Sequence, residues 1–366
     1  MKIYQLLFIS VLGCLCIVTA CNDDDGNQII SPVDLPDSLL IWNDSTYNDS
    51  TISGDSSTPL KEANQWNFVQ AADSTLPIER HEAAFVEVEG KFYLLGGRGK
   101  KNISIYDPVK NIWSKGATPP IEIHHFQPIV YNNKIYIFGA FTGGYPKEKP
   151  IADIYVYTPS TNKWSTEGKI PDNRLRGSAG CVLIGKQVYL ICGIKNGHTD
   201  DHKKWFDVYD LETKEWKKLA DAPRARDHFQ AIHYDNKLYL IGGRLSKAAT
   251  GVFKNTIKEV DVYDFTSKKW SSLDKGIPTK RAGTMGVVYK DEILIVGGED
   301  NSQAEAFNEV EALNPLTNEW RSLPKLKEGR HSSGVINWRD TLYVASGSGN
   351  RGGEPELQTM ECFYSE

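Results

Sequence analysis

Arginine recurs at equivalent places in this sequence, about fifty residues apart. The five arginines are Arg80, Arg176, Arg226, Arg281 and Arg330, and Ile123 takes the same place in one further copy. A guanidinium group is a planar fork that binds a carboxylate through two parallel hydrogen bonds. Five such groups around one opening predict a focused positive potential and an anionic ligand. The alternative is structural: the same side chains bond loop carbonyls or acidic residues of neighbouring repeats.

Further candidates for chemistry lie close to these arginines in the sequence. Arg98, Arg244 and Glu299 directly follow apolar runs that end in two glycines, and we expect the two arginines to join the ligand-binding set. His125 and His228 follow the repeated position by two residues. A carboxylate and two imidazoles are suited to general acid–base catalysis, so Glu299, His125 and His228 are the catalytic candidates.

The segment "HTDDH" (198–202) contains the residue types that bind metal ions. A solvated polar loop is the simpler interpretation, and we predict neither a metal site nor a cofactor. The sequence also lacks a Ser/His/Asp nucleophile elbow and a phosphate-binding loop.

The elements that must position these residues are repeats. Six apolar runs end at a glycine pair or its equivalent: "FYLLGG", "IYIFGA", "VYLICG", "LYLIGG", "ILIVGG" and "LYVASG". Tryptophans follow five of them, at Trp113, Trp164, Trp216, Trp270 and Trp320. Seven residues before these tryptophans stand Tyr106, Tyr157, Tyr209, Tyr263 and Leu313, with a turn-rich segment between each pair. A period of about fifty residues with four short strands is typical of a propeller blade.

The glycine pairs, the tyrosine–tryptophan spacing and the turns between them resemble kelch repeats over roughly residues 62–366. The resemblance implies an all-β, six-bladed kelch-type β-propeller with four antiparallel strands in each blade. Phe363 takes the tyrosine place in the sixth copy, whereas Trp66 precedes the first copy. We therefore predict that the N-terminal segment around Trp66 supplies the outer strand of the last blade.

The topology of such a blade assigns the loops to two faces. With strands a to d numbered from the axis outward, the b–c loops and the d–a connections share one face. The b–c loops vary in sequence, while the turns of the opposite face are short and uniform, so we expect ligands on the first face. The repeated arginines enter the innermost strands there, around the axis.

The N-terminus predicts the location of the protein. Residues 1–20 resemble a lipoprotein signal peptide, and "VTAC" resembles a lipobox with Cys21 as the lipidated residue. Residues 21–61 are predicted to form a flexible polar tether before the propeller at 62–366. The prediction is a cell-envelope lipoprotein on the outer membrane, periplasmic or surface-exposed, that contacts the membrane only through its lipid anchor.

Composition narrows the partners. The net charge of −5 gives no indication of nucleic-acid binding. Cys181, Cys192 and Cys362 are an odd number without the spacing of a disulfide framework, and we interpret them as small core residues.

Two functions follow from the face and its residues. The first is a binding module for a glycan, an acidic sugar or a partner protein. The second is a sugar mutarotase or epimerase, because bacterial sialic acid mutarotases are six-bladed kelch propellers. In that case an acid–base residue would act beside Arg226 or Arg281. A copper site of the galactose oxidase kind at His124 and His125 requires a cysteine-linked tyrosine, and none of the remaining cysteines is suitably placed.

Overall fold

The computed structural model describes residues 63–366. Within this range the chain forms strands and three short 3-10 helices, at Pro159–Thr161, Asp172–Arg174 and Ala248–Thr250. None of the helices there is long and apolar enough to cross a membrane. The signal peptide, Cys21 and the tether predicted from the sequence lie outside the described residues.

Six antiparallel sheets of four strands surround a common axis, as the repeats predict. Blade one contains β2 (Ala83–Val88), β3 (Lys91–Gly96), β4 (Ser104–Asp107) and β5 (Ile112–Lys115). Blade two contains β6 (Pro128–Tyr131), β7 (Lys134–Ile137), β10 (Asp153–Thr158) and β11 (Lys163–Lys169). Blade three contains β12 (Gly180–Ile184), β13 (Gln187–Ile191), β16 (Phe206–Asp210) and β17 (Trp216–Lys218). Blade four contains β18 (Gln230–Tyr234), β19 (Lys237–Ile241), β20 (Asp261–Asp264) and β21 (Lys269–Ser272). Blade five contains β22 (Met285–Tyr289), β23 (Glu292–Val296), β24 (Val310–Asn314) and β25 (Glu319–Leu323). Blade six contains β26 (Val335–Trp338), β27 (Thr341–Ala345), β28 (Met360–Phe363) and β1 (Asn67–Phe68).

Two b–c loops carry small hairpins of their own. In blade two β8 (Phe141–Thr142) pairs with β9 (Lys149–Pro150), and in blade three β14 (Ile194–Asn196) pairs with β15 (Asp200–His202). Both hairpins extend from the face on which the sequence predicts binding. These hairpins lengthen the b–c loops of blades two and three, whereas the turns of the other face are short.

The ring closes as predicted, with the N-terminal strand as the outer strand of blade six. Strand β1 pairs with β28 in the register Asn67 with Cys362. Trp66 is 1% exposed, its ring centroid lies 5.4 Å from that of Phe363, and its indole N–H donates to the Pro324 carbonyl at 3.0 Å. A strand from one end of the ring thus protects the outer edge of the blade at the other end.

The tyrosine–tryptophan spacing reflects a hairpin between strands c and d. Tyr106 lies opposite Trp113 in the register of β4 and β5, with ring centroids 5.0 Å apart. The Tyr106 hydroxyl donates to Asn111 in the turn at 2.6 Å. The tryptophans also join blades: Trp216 donates to the carbonyl of Lys169 in blade two at 2.9 Å. The tyrosine thus fixes the c–d turn in blade one, and the tryptophan of blade three fixes a contact between blades.

The cysteine prediction is confirmed. Cys181, Cys192 and Cys362 are at most 3% exposed and lie in apolar clusters between neighbouring sheets. Burial raises the pKa of the Cys181 and Cys192 thiols to about 12, so both are neutral and unreactive at physiological pH.

Removal of the closing tryptophan is expected to destabilise the whole ring. Trp66→Ala should lower the free energy of unfolding by about 3–5 kcal/mol, because it leaves a cavity against Phe363 and an unpaired Pro324 carbonyl. Urea denaturation followed by fluorescence measures the loss. Phe68→Ala, on the same strand but 49% exposed, is the control and should stay within about 0.5 kcal/mol of the wild type. Equal effects of the two substitutions would contradict closure through Trp66.

Candidate functional site

The five repeated arginines lie inside the blades. Arg80, Arg176, Arg226, Arg281 and Arg330 are all 0% exposed. Burial lowers the pKa of Arg80 and Arg176 to about 10, which still leaves both charged at neutral pH. If these five arginines bound a ligand, their side chains would have to point into the open face of the propeller. Their burial favours the structural alternative.

Each guanidinium group bonds the carbonyl sixteen residues later, at the first position of the glycine pair. Arg281 donates to the Gly297 carbonyl at 2.6 Å and to the Ile295 carbonyl at 3.0 Å. The corresponding acceptors are the carbonyls of Gly96 for Arg80, Cys192 for Arg176, Gly242 for Arg226 and Ser346 for Arg330. Strand b leaves the sheet at this point, so its carbonyls have no strand partner and the arginine satisfies them.

The same arginines also connect adjacent blades through their own backbone. The second glycine of one blade donates its N–H to the carbonyl of the next blade's arginine, for example Gly298 to Arg330 at 2.9 Å. A Cβ atom at Gly297 would lie 2.1 Å from that carbonyl oxygen, and Gly297 has a φ of +60°. Both constraints explain why the strand ends in glycines.

A carboxylate on strand c balances four of the five charges. The pairs are Arg176 with Asp207, Arg226 with Asp261, Arg281 with Glu311 and Arg330 with Glu361. Each acidic residue stands two positions before the repeated tyrosine or its equivalent, a regularity of the sequence that the prediction of a ligand site overlooked. In blade two both partners are apolar: Ile123 and Tyr155 lie in one hydrophobic cluster. The arginine and the carboxylate are thus present or absent together in these blades.

The mouth of the propeller therefore differs from the positive ring that the sequence predicts. Arg98 already binds Glu148 at 2.6 Å, and Arg244 already binds Glu299 at 2.5 Å. These two arginines follow strand b on the side of the b–c loops, and each one is neutralised by a carboxylate of a neighbouring loop. The site has paired rather than unpaired guanidinium groups.

A second repeated position surrounds the axis itself. Six residues stand two places after the arginine position, and all have φ between +49° and +61°: Glu82, His125, Ser178, His228, Gly283 and Ser332. Backbone hydrogen bonds link neighbours in this axial ring, such as His125 N–H to the Glu82 carbonyl at 3.0 Å. All six residues line a narrow cavity along the axis. The structure thus brings His125 and His228, two of the catalytic candidates, to the centre of the face.

Two members of this axial ring, His125 and His228, meet a third histidine from another blade. His198, from the hairpin loop of blade three, joins His125 and His228, and the ring centroids of the three lie 4.8–5.0 Å apart. His198 is 3% exposed, so the "HTDDH" loop differs from the solvated loop that we predicted, although Asp200 is exposed. The loop folds inward because His198 packs on both partners. We call His125, His198 and His228 the axial histidine cluster.

Carboxylates hold the cluster from outside. His228 Nδ1 lies 2.5 Å from Asp227 Oδ1, and His198 Nδ1 lies 2.9 Å from Glu148 Oε1. The His198 contact has ion-pair distance but lacks the alignment of a full hydrogen bond. Glu82 Oε2 lies 3.1 Å from His125 Nε2. Each ring is therefore oriented by one acidic residue.

Burial sets the protonation of these groups. Burial lowers the pKa of His125 well below its usual value and also lowers that of His228. Burial and the nearby Arg98 lower the pKa of His124 to about 4. Although burial alone raises the pKa of Asp227, hydrogen bonds from His202 and His228 hold it well below the usual range. At neutral pH His124, His125 and His228 are therefore neutral, and the Asp227 carboxylate is ionised.

Glu299, the third catalytic candidate, lies to one side of the cluster. Its Oε1 binds Arg244, and its Oε2 accepts from the backbone N–H of Gly352 at 2.8 Å and lies 3.4 Å from His331 Nε2. Arg244 connects Glu299 to the axial histidine cluster. The Arg244 Nε lies 3.9 Å from Asp227, and Asp227 contacts His228. The predicted acid–base residues thus share one network of buried charges.

Aromatic side chains of the b–c loops flank the network. Tyr145, between β8 and β9, is 57% exposed, and its ring centroid lies 5.3 Å from that of His198. Phe253, in the loop of blade four, has its ring centroid 5.3 Å from the Arg244 guanidinium group. An exposed ring beside fixed polar groups is a common composition for a binding site.

A six-bladed propeller of four-stranded sheets, with aromatic and glycine repeats in phase, defines the class of protein. A model of the KLHDC2/KLHL20/DRC7 Kelch-repeats domain matches residues 33–221 and 142–347. The chain belongs to the kelch-repeat family.

Several curated proteins are similar to it. Kelch-like protein terF of Aspergillus terreus is 26% identical over 310 residues, which cover 78% of this chain and 64% of that protein. Human Kelch-like protein 23 is 24% identical over 277 residues, which cover 74% and 46%. Acyl-CoA-binding domain-containing protein 4 of Arabidopsis thaliana is 27% identical over 306 residues, covering 75% and 42%. The chain spans less than two thirds of each of these relatives.

A solved structure, that of YjhT, is similar in fold. It aligns with a TM-score of 0.65 and 15% sequence identity, over 78% of this chain and 95% of that one. At this identity the similarity concerns the fold alone.

The buried arginines are expected to matter for stability. Arg281→Ala should lower the free energy of unfolding by about 3–5 kcal/mol, because Glu311 and three carbonyls lose their partner in the interior. The matched control is Arg321→Ala, which removes an exposed pair with Glu292 and should cost about 0–1 kcal/mol. Urea denaturation measures both. Equal losses would return Arg281 to the ligand-binding candidates.

Proposed function

We propose that this kelch propeller is a binding module that holds a glycan on the face carrying the b–c loops and the d–a connections. The observation that carries the proposal is the axial histidine cluster with its carboxylates, fixed in place beside the exposed ring of Tyr145. Sugar hydroxyl groups donate to carboxylates and bare imidazole nitrogens, while the apolar face of a sugar ring packs on an aromatic ring. Rigid polar groups of this kind bind with little loss of conformational entropy.

The charges favour a neutral glycan over an acidic sugar. Four carboxylates surround the cluster, Glu82, Glu148, Asp227 and Glu299, together with only two arginines, Arg98 and Arg244. Since both arginines already bind carboxylates and burial lowers the pKa of His125 and of His228, a carboxylated ligand would meet net negative charge. This supports hydroxyl-rich ligands and disfavours the acidic ones that the arginine repeat suggested.

A sugar mutarotase or epimerase is the second candidate, and one contact favours it. Asp227 holds His228 at 2.5 Å, the arrangement that fixes the tautomer of a histidine acting as a general base. His125 lies across the cluster from His228 and would act on the opposite face of a bound sugar ring. Proton NMR of anomer exchange measures this activity. The charge of the face argues against sialic acid as the substrate.

The cellular location is part of the same proposal. We propose a cell-envelope lipoprotein, anchored in the outer membrane through Cys21 and a polar tether, with the propeller in the periplasm or at the cell surface. The apolar leader and the "VTAC" segment support it. Glycans are the ligands that such a location offers in abundance, whereas a partner protein remains the competing occupant of the face.

The glycan proposal predicts a specific role for Tyr145. A glycan array probed with the soluble chain from Asn64 onward, which contains all six blades, should give binding to neutral glycans. Tyr145→Ala should weaken the affinity for the best of them roughly threefold to tenfold, the value of one aromatic contact. Calorimetry on the purified glycan measures the change.

The control removes an exposed apolar side chain from the opposite face of the propeller. Leu316→Ala removes another exposed apolar side chain, in the c–d turn of blade five on the opposite face, and should leave affinity unchanged. A preference for carboxylated sugars would contradict the charge argument. Binding to no glycan at all would remove this ligand class and leave a partner protein.

A further inference from the structure

The hydrogen bonds around the axial histidine cluster determine which ring nitrogens carry protons. His228 Nδ1 contacts a carboxylate that can only accept, so the proton of neutral His228 is on Nδ1 and its Nε2 is bare. His198 Nδ1 lies at ion-pair distance from Glu148, and its Nε2 is turned toward His228. The two Nε2 atoms lie 3.1 Å apart. The two nitrogens are therefore close enough to share a single proton or to bind one cation together.

The third histidine shows the same pattern through a different partner. His124 Nε2 donates to the Gly143 carbonyl at 3.1 Å, so its Nδ1 is an acceptor. His125 Nδ1, at 2.6 Å from that atom, must then be the donor. The proton of neutral His125 is thus on Nδ1, and its Nε2 has no hydrogen-bond donor and lies 3.1 Å from the acidic Glu82. The three rings thus bring nitrogens together in a buried site, where polar atoms need a partner and a bound cation would supply one.

The distances match those of a bound transition metal. One ring nitrogen of each histidine lies within 4.8 Å of the others. Two imidazole nitrogens on a tetrahedral zinc ion, each about 2.0–2.1 Å from it, are about 3.3 Å apart. The observed 3.1 Å between His198 and His228 is close to this value. The nitrogen of His125 needs to move by up to about 1.5 Å to complete the set.

We propose that His125, His198 and His228 form a binding site for a divalent transition-metal ion of the zinc class. Glu148 and Asp227 are the positioning residues, since each holds the far nitrogen of a ligand ring, as carboxylates do around histidine-bound metals. Glu82, beside His125, or a water molecule is the fourth ligand. Imidazole ligands select zinc, copper, nickel or cobalt over magnesium and calcium.

This proposal concerns the same three histidines as the glycan proposal, but its ligands are supplied by the chain itself, so metal binding can be tested with no glycan present. The proposal departs from the sequence expectation of no metal, which rested on treating "HTDDH" as a solvated loop. Only His198 of that segment belongs to the cluster. His202 instead lies 3.1 Å from Asp227, the residue that holds His228.

Calorimetric titration with Zn²⁺ tests the proposal on the chain from Asn64 onward after treatment with a chelator. We expect one ion per chain with a Kd in the micromolar range or tighter. Bound Co²⁺ should show the intense visible absorption of a tetrahedral site without sulfur-to-metal bands, because the described cysteines are buried elsewhere. Absence of stoichiometric Zn²⁺ binding by the wild-type chain would overturn the proposal.

Variants separate this site from adventitious binding. His198→Asn and His228→Asn should each weaken Zn²⁺ binding at least about a hundredfold, and Glu148→Gln about ten- to a hundredfold. The matched control is His233→Asn, on β18 and half-buried beside Phe265, which should bind as the wild type does. If His198→Asn and His228→Asn also bind as the wild type does, the ion lies elsewhere and the proposal is wrong.

A measurement on the wild-type chain guards against variants that fail to fold. Addition of one equivalent of Zn²⁺ should shift the ring ¹⁵N resonances of His125, His198 and His228 and leave that of His233 in place. Shifts confined to other histidines would contradict the site. Melting curves of each variant without metal confirm that the fold remains intact before its affinity is compared.

Discussion

The propeller depends on the contact between a buried guanidinium group and the carbonyl at which strand b ends. The arginine side chain donates to the carbonyl at the strand end of its own blade. The backbone carbonyl of the same arginine accepts from the second glycine of the preceding blade. Strand b can therefore leave the sheet abruptly and begin a long loop without exposing unpaired backbone in the interior. The glycines follow from this contact, because a side chain there would collide with the neighbouring arginine's carbonyl. The loops that form the binding face are built on these fixed ends.

The fold could be predicted because its signals are local and repeated. Glycine pairs or their equivalents recur in six copies, the aromatic spacing and its turns recur in five, and the unmatched Trp66 indicated how the ring closes. The role of the arginines could not be inferred from their position alone, since a ligand site and a scaffold both require a repeated charge at the axis. The decisive sign was the acidic residue two places before the tyrosine, and its replacement by Tyr155 in the blade where Ile123 replaces arginine. A buried cation needs a partner, and the partner shows where the cation lies.

The site was predictable only in part. His125 and His228 occupy a repeated place, so their convergence follows from the symmetry of the ring. His198 comes from a b–c loop rather than from a repeated position, and its approach to His125 and His228 depends on a hairpin whose path the sequence does not fix. The net charge around the mouth of the propeller could not be predicted either. Arg98 and Arg244 are neutralised by carboxylates of other loops, 50 and 55 residues away in the chain. Contacts of this kind appear only once the blades are assembled.

A double-mutant cycle on Arg226 and Asp261 measures how strongly a buried arginine holds its blade. Both side chains are 0% exposed, and replacement by Met and Leu keeps their approximate volume while removing the charges. We expect either single substitution to be strongly destabilising and the second to recover part of the loss, with a coupling free energy of at least about 2 kcal/mol. The same cycle on the exposed pair Lys275 and Glu319 should give a coupling near zero. Indistinguishable couplings for the two pairs would contradict the conclusion that buried arginines hold the blades together.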